Sequence, residues 1–414
     1  MQVVSLPAVG RKKPNGLPVV IIGAGPAGLM AAEVLAQAGY QVQVYEQKPS
    51  AARKFLMAGK TGLNISHDED FEQFILRYDR ADWLKPMLAQ FKAADIQHWM
   101  QGLGIESYVG SSGRIFPREM KAAPLLRAWL SRLKALGVQF FYRHQWTGWA
   151  TQQQLQFNDP DGSKLVEAGI IILATGGGSW ARLGSDAAWL AMLQAEHIPV
   201  VPLQPSNAGV LVSWSDFMQP LAGQPLKRVK AWVESGQIYP GEAVISHYGL
   251  EGGLIYRLNR GLRQQLEQQG SATIQLDLLP DVSMDTLIQK LQPSTKQSLN
   301  TLWRKAGLDA IKAALIREFL PKACWQNAEQ VSRTIKSLSI PVTGFRPIDE
   351  AISTTGGVSI AALDKNLMLT QKPGVFCCGE MLDWDAPTGG YLLTACLATG
   401  RQAALGVMDW LQHQ

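Results

Sequence analysis

Apolar and polar positions alternate along this chain in three distinct rhythms. Leu17 to Ile22 is an unbroken apolar run, as expected for a strand buried on both faces of a parallel sheet. Helical spacing follows until Gly39, and Gln41 to Tyr45 then alternates as a second strand. The runs 168–173 and Val375 to Cys378 repeat the buried-strand pattern. Spacing of Phe71, Phe74, Ile75 and Tyr78, then of Phe91, Ile96 and Trp99, predicts helices whose apolar faces enter a core. "GRIFPREMKAAPLLRAWLSRLKALGVQFFYRHQW" predicts a turn, an amphipathic helix ending near Gly137, and a strand. From about 200 to 340 the rhythm shortens. "AGVLVSW", "LKRVKAWVE", "EAVISHYGL" and "ATIQLDLLP" read as strands of a mixed or antiparallel sheet. Residues 283–331 are helical by spacing, with "QPSTKQSLNTLW" as a break. A long helix closes the chain.

This divides the chain into an N-terminal tail (1–16), a nucleotide-binding region (17–198), an inserted β-rich region with a helical part (199–340), and a return segment (341–414). Pro-rich "PVVPLQPS" and "SIPVTGFRP" flank the insertion. At 414 residues, two or three domains are expected.

The segment "LPVVIIGAGPAGLMAAEVLAQAGYQVQVYEQ" carries the first chemistry. Gly23, Gly25 and Gly28 have G-x-G-x-x-G spacing between a strand and a helix. The first allows the tight turn, the second admits a diphosphate to the backbone, and the third lets helix pack on strand. Ala24 and Ala27 complete the turn, and Pro26 suits a first helical turn, where a missing N–H costs nothing. Glu46 ends the second strand 18 residues past Gly28, where a carboxylate accepts from ribose hydroxyls and repels a 2′-phosphate. Gln47 follows it. At this point FAD and NAD stay open, with NADP disfavoured.

"KFLMAGKTGLNIS" (54–66) ends like a P-loop but has Lys54 where that motif needs glycine, and no strand precedes it. It reads instead as a Gly-rich loop along a cofactor, with Lys54 or Lys60 near phosphate, Gly59 giving close approach, and Asn64 offering polar contacts. Arg114 is a candidate for an anionic substrate, with a solvated side chain as the default. Gln145 and Trp146 offer backbone groups to an adenine. Ala174, Thr175 and Gly176 end a strand that returns to the same nucleotide fold. Gly176, Gly178 and Ala181 satisfy G-x-G-x-x-A, but the following "HIPVVPL" has no acid closing a second strand, so a second nucleotide site is not expected.

Near the C-terminus, Gly379 and Glu380 follow an apolar strand, and a carboxylate there suits a polyol such as the ribityl chain of FAD. Gly389, Gly390, Tyr391 and Leu392 open the last helix, whose positive end suits the pyrimidine side of a flavin. A helix terminus contributes about 0.3–1 kcal/mol when exposed and up to ~2 when partly buried.

Net charge is +5, with Lys and Arg scattered, which argues against nucleic acid or an anionic membrane as the main partner. Four cysteines without disulfide spacing, and no signal-like core in residues 1–18, point to a cytoplasmic, soluble protein with reduced thiols. Glu33 and the Gly/Pro punctuation set the apolar run 19–40 apart from a membrane span.

"GAGPAGL", "KFLMAGKTGLNIS", "GRIFP" with "KAAPLLRAWL", "ILATGGGS", "TTGGVSI" and "GVFCCGEMLDWDAPTGGYLLTACLATG" together resemble the bacterial FAD-dependent flavoproteins of the BaiN/YhiN type, from about residue 17 onward. The resemblance implies an α/β fold: a split Rossmann-type FAD-binding domain with inserted β-barrel-like and small helical domains. It implies FAD held by Gly23, Gly25, Gly28 and Glu46 at the ADP half. Lys54, Gly59 and Asn64 would lie along the cofactor, and Gly379, Glu380 and Gly389 to Leu392 would hold ribityl and ring. Two departures matter: Gly62-Leu63-Asn64 stands where the family often has Arg-Cys-Asn, so any role of that Arg or Cys is absent, and Glu251-Gly252-Gly253 after Ser246-His247 replaces Ser-Gly-Pro after Thr-His, which bears on substrate.

The implied activity is hydride transfer between flavin N5 and a small molecule, with enone-type substrates as precedent and NAD(P)H as candidate transient donor. His247 or Tyr248, then Tyr391, are the candidate proton donors. No C-x-x-C exists for dithiol transfer. A tRNA-modifying flavoprotein and a non-enzymatic flavin-binding regulator share the fingerprint and are the alternatives.

Overall fold

The computed structural model describes residues 12–413 except 60–61, 235 and 294–296. Lys60 therefore lies outside the described residues. Two compact units emerge, one from residues up to Gln204 together with Ser353–Gln414, the other from Pro205–Ile352.

The first unit is built on a five-stranded, all-parallel sheet. Its order is Val375–Cys377, Ile170–Leu173, Val19–Ile22, Val42–Glu46, Gln139–Tyr142. The first strand is central and buried throughout, so its sequence has no polar position to spare. Chain segments far apart in sequence meet here, with Val19 opposite both Val42 and Ile170. Strand Ile170–Leu173 thus joins the first nucleotide fold. The expected strand 375–378 ends at Cys377.

Helix Pro26–Gln37 follows the glycine turn, and the C-terminal helix Tyr391–Gln412 packs along it. Gly400 allows that approach, since a Cβ there would sit 2.2 Å from the Ala27 carbonyl oxygen. Helix Ala122–Ala135 and strand Gln139–Tyr142 stand where the pattern predicts them. Phe74, Ile75, Tyr78, Phe91 and Ile96 are buried, while Phe71 and Trp99 pack against the same core. Of the expected tail, residues 12–16 are docked: Lys12 bridges to Tyr40 and Pro14 is buried.

The second unit carries a seven-stranded antiparallel sheet in the order 338–342, 272–277, 225–232, 239–246, 249–251, 210–211, 344–345. The two terminal strands of that order are consecutive in the chain and separated only by Thr343, so the ladder curls back on itself in a barrel-like closure. The unit boundary passes beyond residue 340 because both of these strands belong to this sheet. It begins after 199 because strand Val200–Ser206 pairs with Ser353–Val358. Helix Gly253–Gln269 and, among the described residues, four shorter α-helices belong to the unit, each of the four started by a capping side chain: Ser283, Ser298, Asp309 and Asn327. The break at "QPSTKQSLNTLW" is narrower than its sequence suggests, since Ser298 caps a helix beginning at Leu299.

Candidate active site

The glycine turn forms because the chain must pass from a buried strand to a helix in three residues. Gly23 adopts φ +105°, and a Cβ there would lie 2.2 Å from the Ala174 carbonyl oxygen. Gly28 faces the Gly23 carbonyl, where a Cβ would be 2.1 Å away. Gly25 differs. Its φ of −79° suits any residue, and a Cβ there would meet no protein atom within 4 Å. Packing therefore does not explain this glycine; space beside it does.

That space is a cleft of about 980 Å³, counted to its open mouth, built wholly from the first unit. Gly23, Gly25, Pro26 and Ala27 line it beside the N-terminus of the first helix, with Glu46 and Gln47 from the second strand. Lys54, Trp146, Ala174, Thr175, Gly176, Gly379 and Glu380 complete the expected lining. Three remote stretches of sequence thus converge on one cavity.

Glu46 is part of the lining. Its Oε2 accepts from the Ala24 N–H at 3.0 Å and its Oε1 from the Lys48 N–H at 2.9 Å. Burial pushes its carboxyl above the ordinary range, opposed by those two N–H groups. Gln47 donates across the lining to the Gly184 carbonyl at 2.7 Å.

Glu380 is not a free carboxylate waiting for a polyol. Lys54 Nζ reaches both of its oxygens, at 2.8 and 3.0 Å, and also donates to Ser179 Oγ; the Thr354 N–H donates to Glu380 Oε1. Lys54 itself stands on a short helix, Arg53–Ala58, where a loop is expected, because Phe55 turns inward and is buried. Gly59 does not line the cleft. It lets this helix meet helix Ala122–Ala135, since a Cβ would lie 2.5 Å from that of Ala122.

Asn64, Gly389, Gly390, Tyr391 and Leu392 are also off the cleft lining. Asn64 Oδ1 is nevertheless buried without a hydrogen-bond partner. Gly390, at φ +94°, brings the C-terminal helix against Ser66, whose backbone a Cβ would meet at 2.6 Å. Tyr391 is buried, with its hydroxyl donating to Glu69 and its carbonyl accepting from Tyr78 at 2.8 Å.

His247 and Tyr248 lie in the second unit, outside the cleft. His247 is exposed. The Tyr248 hydroxyl donates to Glu251, and the Arg346 guanidinium lies 4.3 Å from its ring centroid. Burial, then Glu251, push the phenol far above its ordinary value, so it stays protonated at neutral pH.

The sequence reading missed Arg53, His144, Ser185, Trp189, Cys378 and Cys396, all on the lining. Arg53 Nε and Ser185 Oγ are buried there without hydrogen-bond partners. Gly184-Ser185 carried a readable signal: a glycine beside a small hydroxyl, shortly after the Ala-Thr-Gly strand end. Orphaned donors, a helix N-terminus and the open space at Gly25 fit an anionic dinucleotide, and the acid at Glu46 fits its ribose.

A family model described as HI0933-like protein Rossmann domain matches residues 17–406. The chain belongs to this family. Its members are FAD-dependent oxidoreductases, and the chain is an enzyme of that class. A protein of Haemophilus influenzae named ribosomal RNA dihydrouridine synthase is 24% identical over 406 residues, covering 94% of this chain and 98% of that one. One of the same name from Escherichia coli is 23% identical over 386 residues, covering 90% and 93%.

Among solved structures, a flavocytochrome c3 fumarate reductase matches with TM-score 0.53 and 16% identity, over 98% of this chain and 80% of that one. A 3-ketosteroid-Δ4-(5α)-dehydrogenase from Rhodococcus jostii RHA1 matches with TM-score 0.52 and 14% identity, over 97% and 98%. These two carry the fold alone. No helix among the described residues is long and apolar enough to cross a membrane.

Proposed function

We propose that this enzyme reduces the C5=C6 bond of uracil in RNA, with FAD in the cleft and NAD(P)H as the electron source, in the cytoplasm. The observation that carries the reading is the end-to-end match to two proteins named ribosomal RNA dihydrouridine synthase. Uracil C5=C6 is conjugated with the C4 carbonyl, so it is an enone-type alkene, and the two readings of the sequence meet in one reaction. Hydride adds at C6 and a proton at C5; the net reaction consumes NAD(P)H and one proton per uracil.

Bound in this cleft, the flavin supplies the hydride chemistry. The chain supplies the rest. Gly25 to Ala27 and Arg53 would hold the diphosphate and Glu46 the adenosine ribose; the start of the C-terminal helix, off the cleft lining, would favour negative charge on the pyrimidine side of a ring extending beyond the cleft. Lys227, Arg228 and Lys230 stand exposed on one strand of the second unit, without an ion-pair partner among the described residues, and suit phosphodiesters.

The test is anaerobic incubation of FAD-loaded protein and NAD(P)H with unmodified ribosomal RNA, followed by nucleoside mass spectrometry. A uridine-derived nucleoside two hydrogens heavier supports the proposal. Flavin that is reduced and then reoxidised by cyclohexenone, with RNA unaltered and unbound, overturns it in favour of a small-molecule reductase.

A further inference from the structure

A second arrangement of unsatisfied chemistry lies at the start of the C-terminal helix. The His67 ring stacks on Tyr391, the first residue of that helix, with centroids 5.5 Å apart and planes 17° from parallel. Its Nε2 lies 2.9 Å from the Ser112 carbonyl oxygen. A carbonyl only accepts, so Nε2 carries the hydrogen and the neutral ring keeps its lone pair on Nδ1. That Nδ1 is buried with no hydrogen-bond partner and lies 3.8 Å from Glu69 Oε1. Two acceptors face each other across a gap that one proton would bridge.

The surroundings keep the carboxylate charged. Burial works against ionisation of Glu69, but hydrogen bonds from Arg77 (Nη2 at 2.7 Å, Nε at 3.2 Å) and from Tyr391 hold its carboxyl below the usual range. The charged and titratable groups packed around the imidazole are Glu69 with Arg77 behind it, Tyr391 from the helix, and Arg114 opposite in register on strand Arg114–Pro117. Gly113 leaves the slot that the ring fills, since a Cβ there would be 2.5 Å from His67 Cε1. The imidazole is therefore held in place, with one nitrogen committed and the other vacant.

We propose that His67 is a redox-linked proton site: Nδ1 takes up a proton and pairs with Glu69 when reduction of the flavin places negative charge at the N-terminus of the C-terminal helix. The inference rests on the reading that the ring lies at Gly389 to Leu392. Two electrons and one proton from the reductant and solvent reach the cofactor; a second proton, from water, binds Nδ1. Reoxidation by substrate returns it, and hydride transfer to an alkene consumes one proton of that kind.

The experiment counts protons. FAD-loaded protein is reduced anaerobically with dithionite-free photoreduction in weak buffer containing a pH indicator, between about pH 5.5 and 8, where histidine charge changes fall. Uptake is expected to rise from one towards two protons per two electrons in part of this range. Correspondingly, the potential of the wild type should steepen by about 30 mV per pH unit relative to His67→Gln. The Gln amide reaches the position of Nε2 and keeps a donor for the Ser112 carbonyl, and its FAD absorbance reports folding. One proton throughout in the wild type, or an unchanged count in His67→Gln, overturns the inference while leaving the cofactor reading intact. Protein that holds no FAD overturns both.

Discussion

About two turns of helix separate Gly25 from Glu33, yet the two ends of this segment are built on opposite plans. Around Glu33, everything polar is answered. Its carboxylate is 2% exposed and accepts from the indoles of Trp99 (3.0 Å) and Trp129 (2.7 Å), from Arg132 (2.8 Å) and from Gln37 (3.2 Å). At Gly25 the reverse holds: open space, a helix N-terminus, and Arg53 Nε and Ser185 Oγ buried without partners. A buried charge alone therefore does not mark a site. Unanswered polar groups facing open space do.

Breaking the Glu33 end should have the largest effect. Glu33→Ala strands the buried Trp129 indole and the part-buried Trp99 indole and Arg132 guanidinium, and removing one partner of such a cluster costs about 3 kcal/mol. Urea unfolding monitored by tryptophan fluorescence should show that loss, while FAD affinity of the surviving folded protein stays near wild type. A drop in affinity as large as the drop in stability would erase the distinction between the two ends.

The Gly25 end should respond in the opposite sense. Gly25→Val fits the local backbone and clashes with nothing in the protein, so stability should fall by no more than about 1 kcal/mol, the cost of valine at this helix N-cap. Its side chain would occupy the space beside the helix N-terminus, and FAD affinity should fall by about 100-fold or more, near 3 kcal/mol. Flavin fluorescence titration checks this. Retained affinity would show that the cofactor approaches from elsewhere.

Glu46→Gln is a gentler probe. The amide keeps an acceptor for one backbone N–H but loses the charge that strengthens bonds from ribose hydroxyls, a difference of about 1.5–3 kcal/mol for charged acceptors. Expected affinity for FAD falls roughly 10- to 100-fold. Since burial already raises this carboxyl, the wild type should also lose affinity as pH drops towards the carboxylate range, and the Gln variant should not.

The same contrast explains what could be read from sequence. The glycine turn and the two strands were legible because one local conformation demands those residues, and Glu46 because it closes the second strand. Gly59 was misread because a glycine for helix–helix approach to Ala122 looks no different in sequence from one for a ligand. Lys54 and Glu380 were both expected near the cofactor, but their mutual ion pair joins residues 326 apart, which no local pattern reports. Arg53 and Ser185 matter only through what they lack. The barrel-like closure was legible from neither strand length nor spacing, because it depends on Thr343 joining the two edges of one ladder.

The smallest effect concerns Tyr391, which belongs to neither end of helix Pro26–Gln37 but tests the same rule. Its hydroxyl is answered by Glu69, so Tyr391→Phe should cost one hydrogen bond to a carboxylate that Arg77 still holds, about 1.5 kcal/mol at neutral pH. The pH dependence gives the sharper check. Glu69 has a folded pKa below its unfolded value of ~4.3, so its stabilisation is present above that value and is lost as pH falls through the folded one. Removing the Tyr391 donor brings the two values closer, so the variant should lose less stability on acidification than the wild type. Urea midpoints across that range decide it: parallel curves would mean that Arg77 alone fixes the carboxylate, and that the phenol is bound to it without helping to hold its charge.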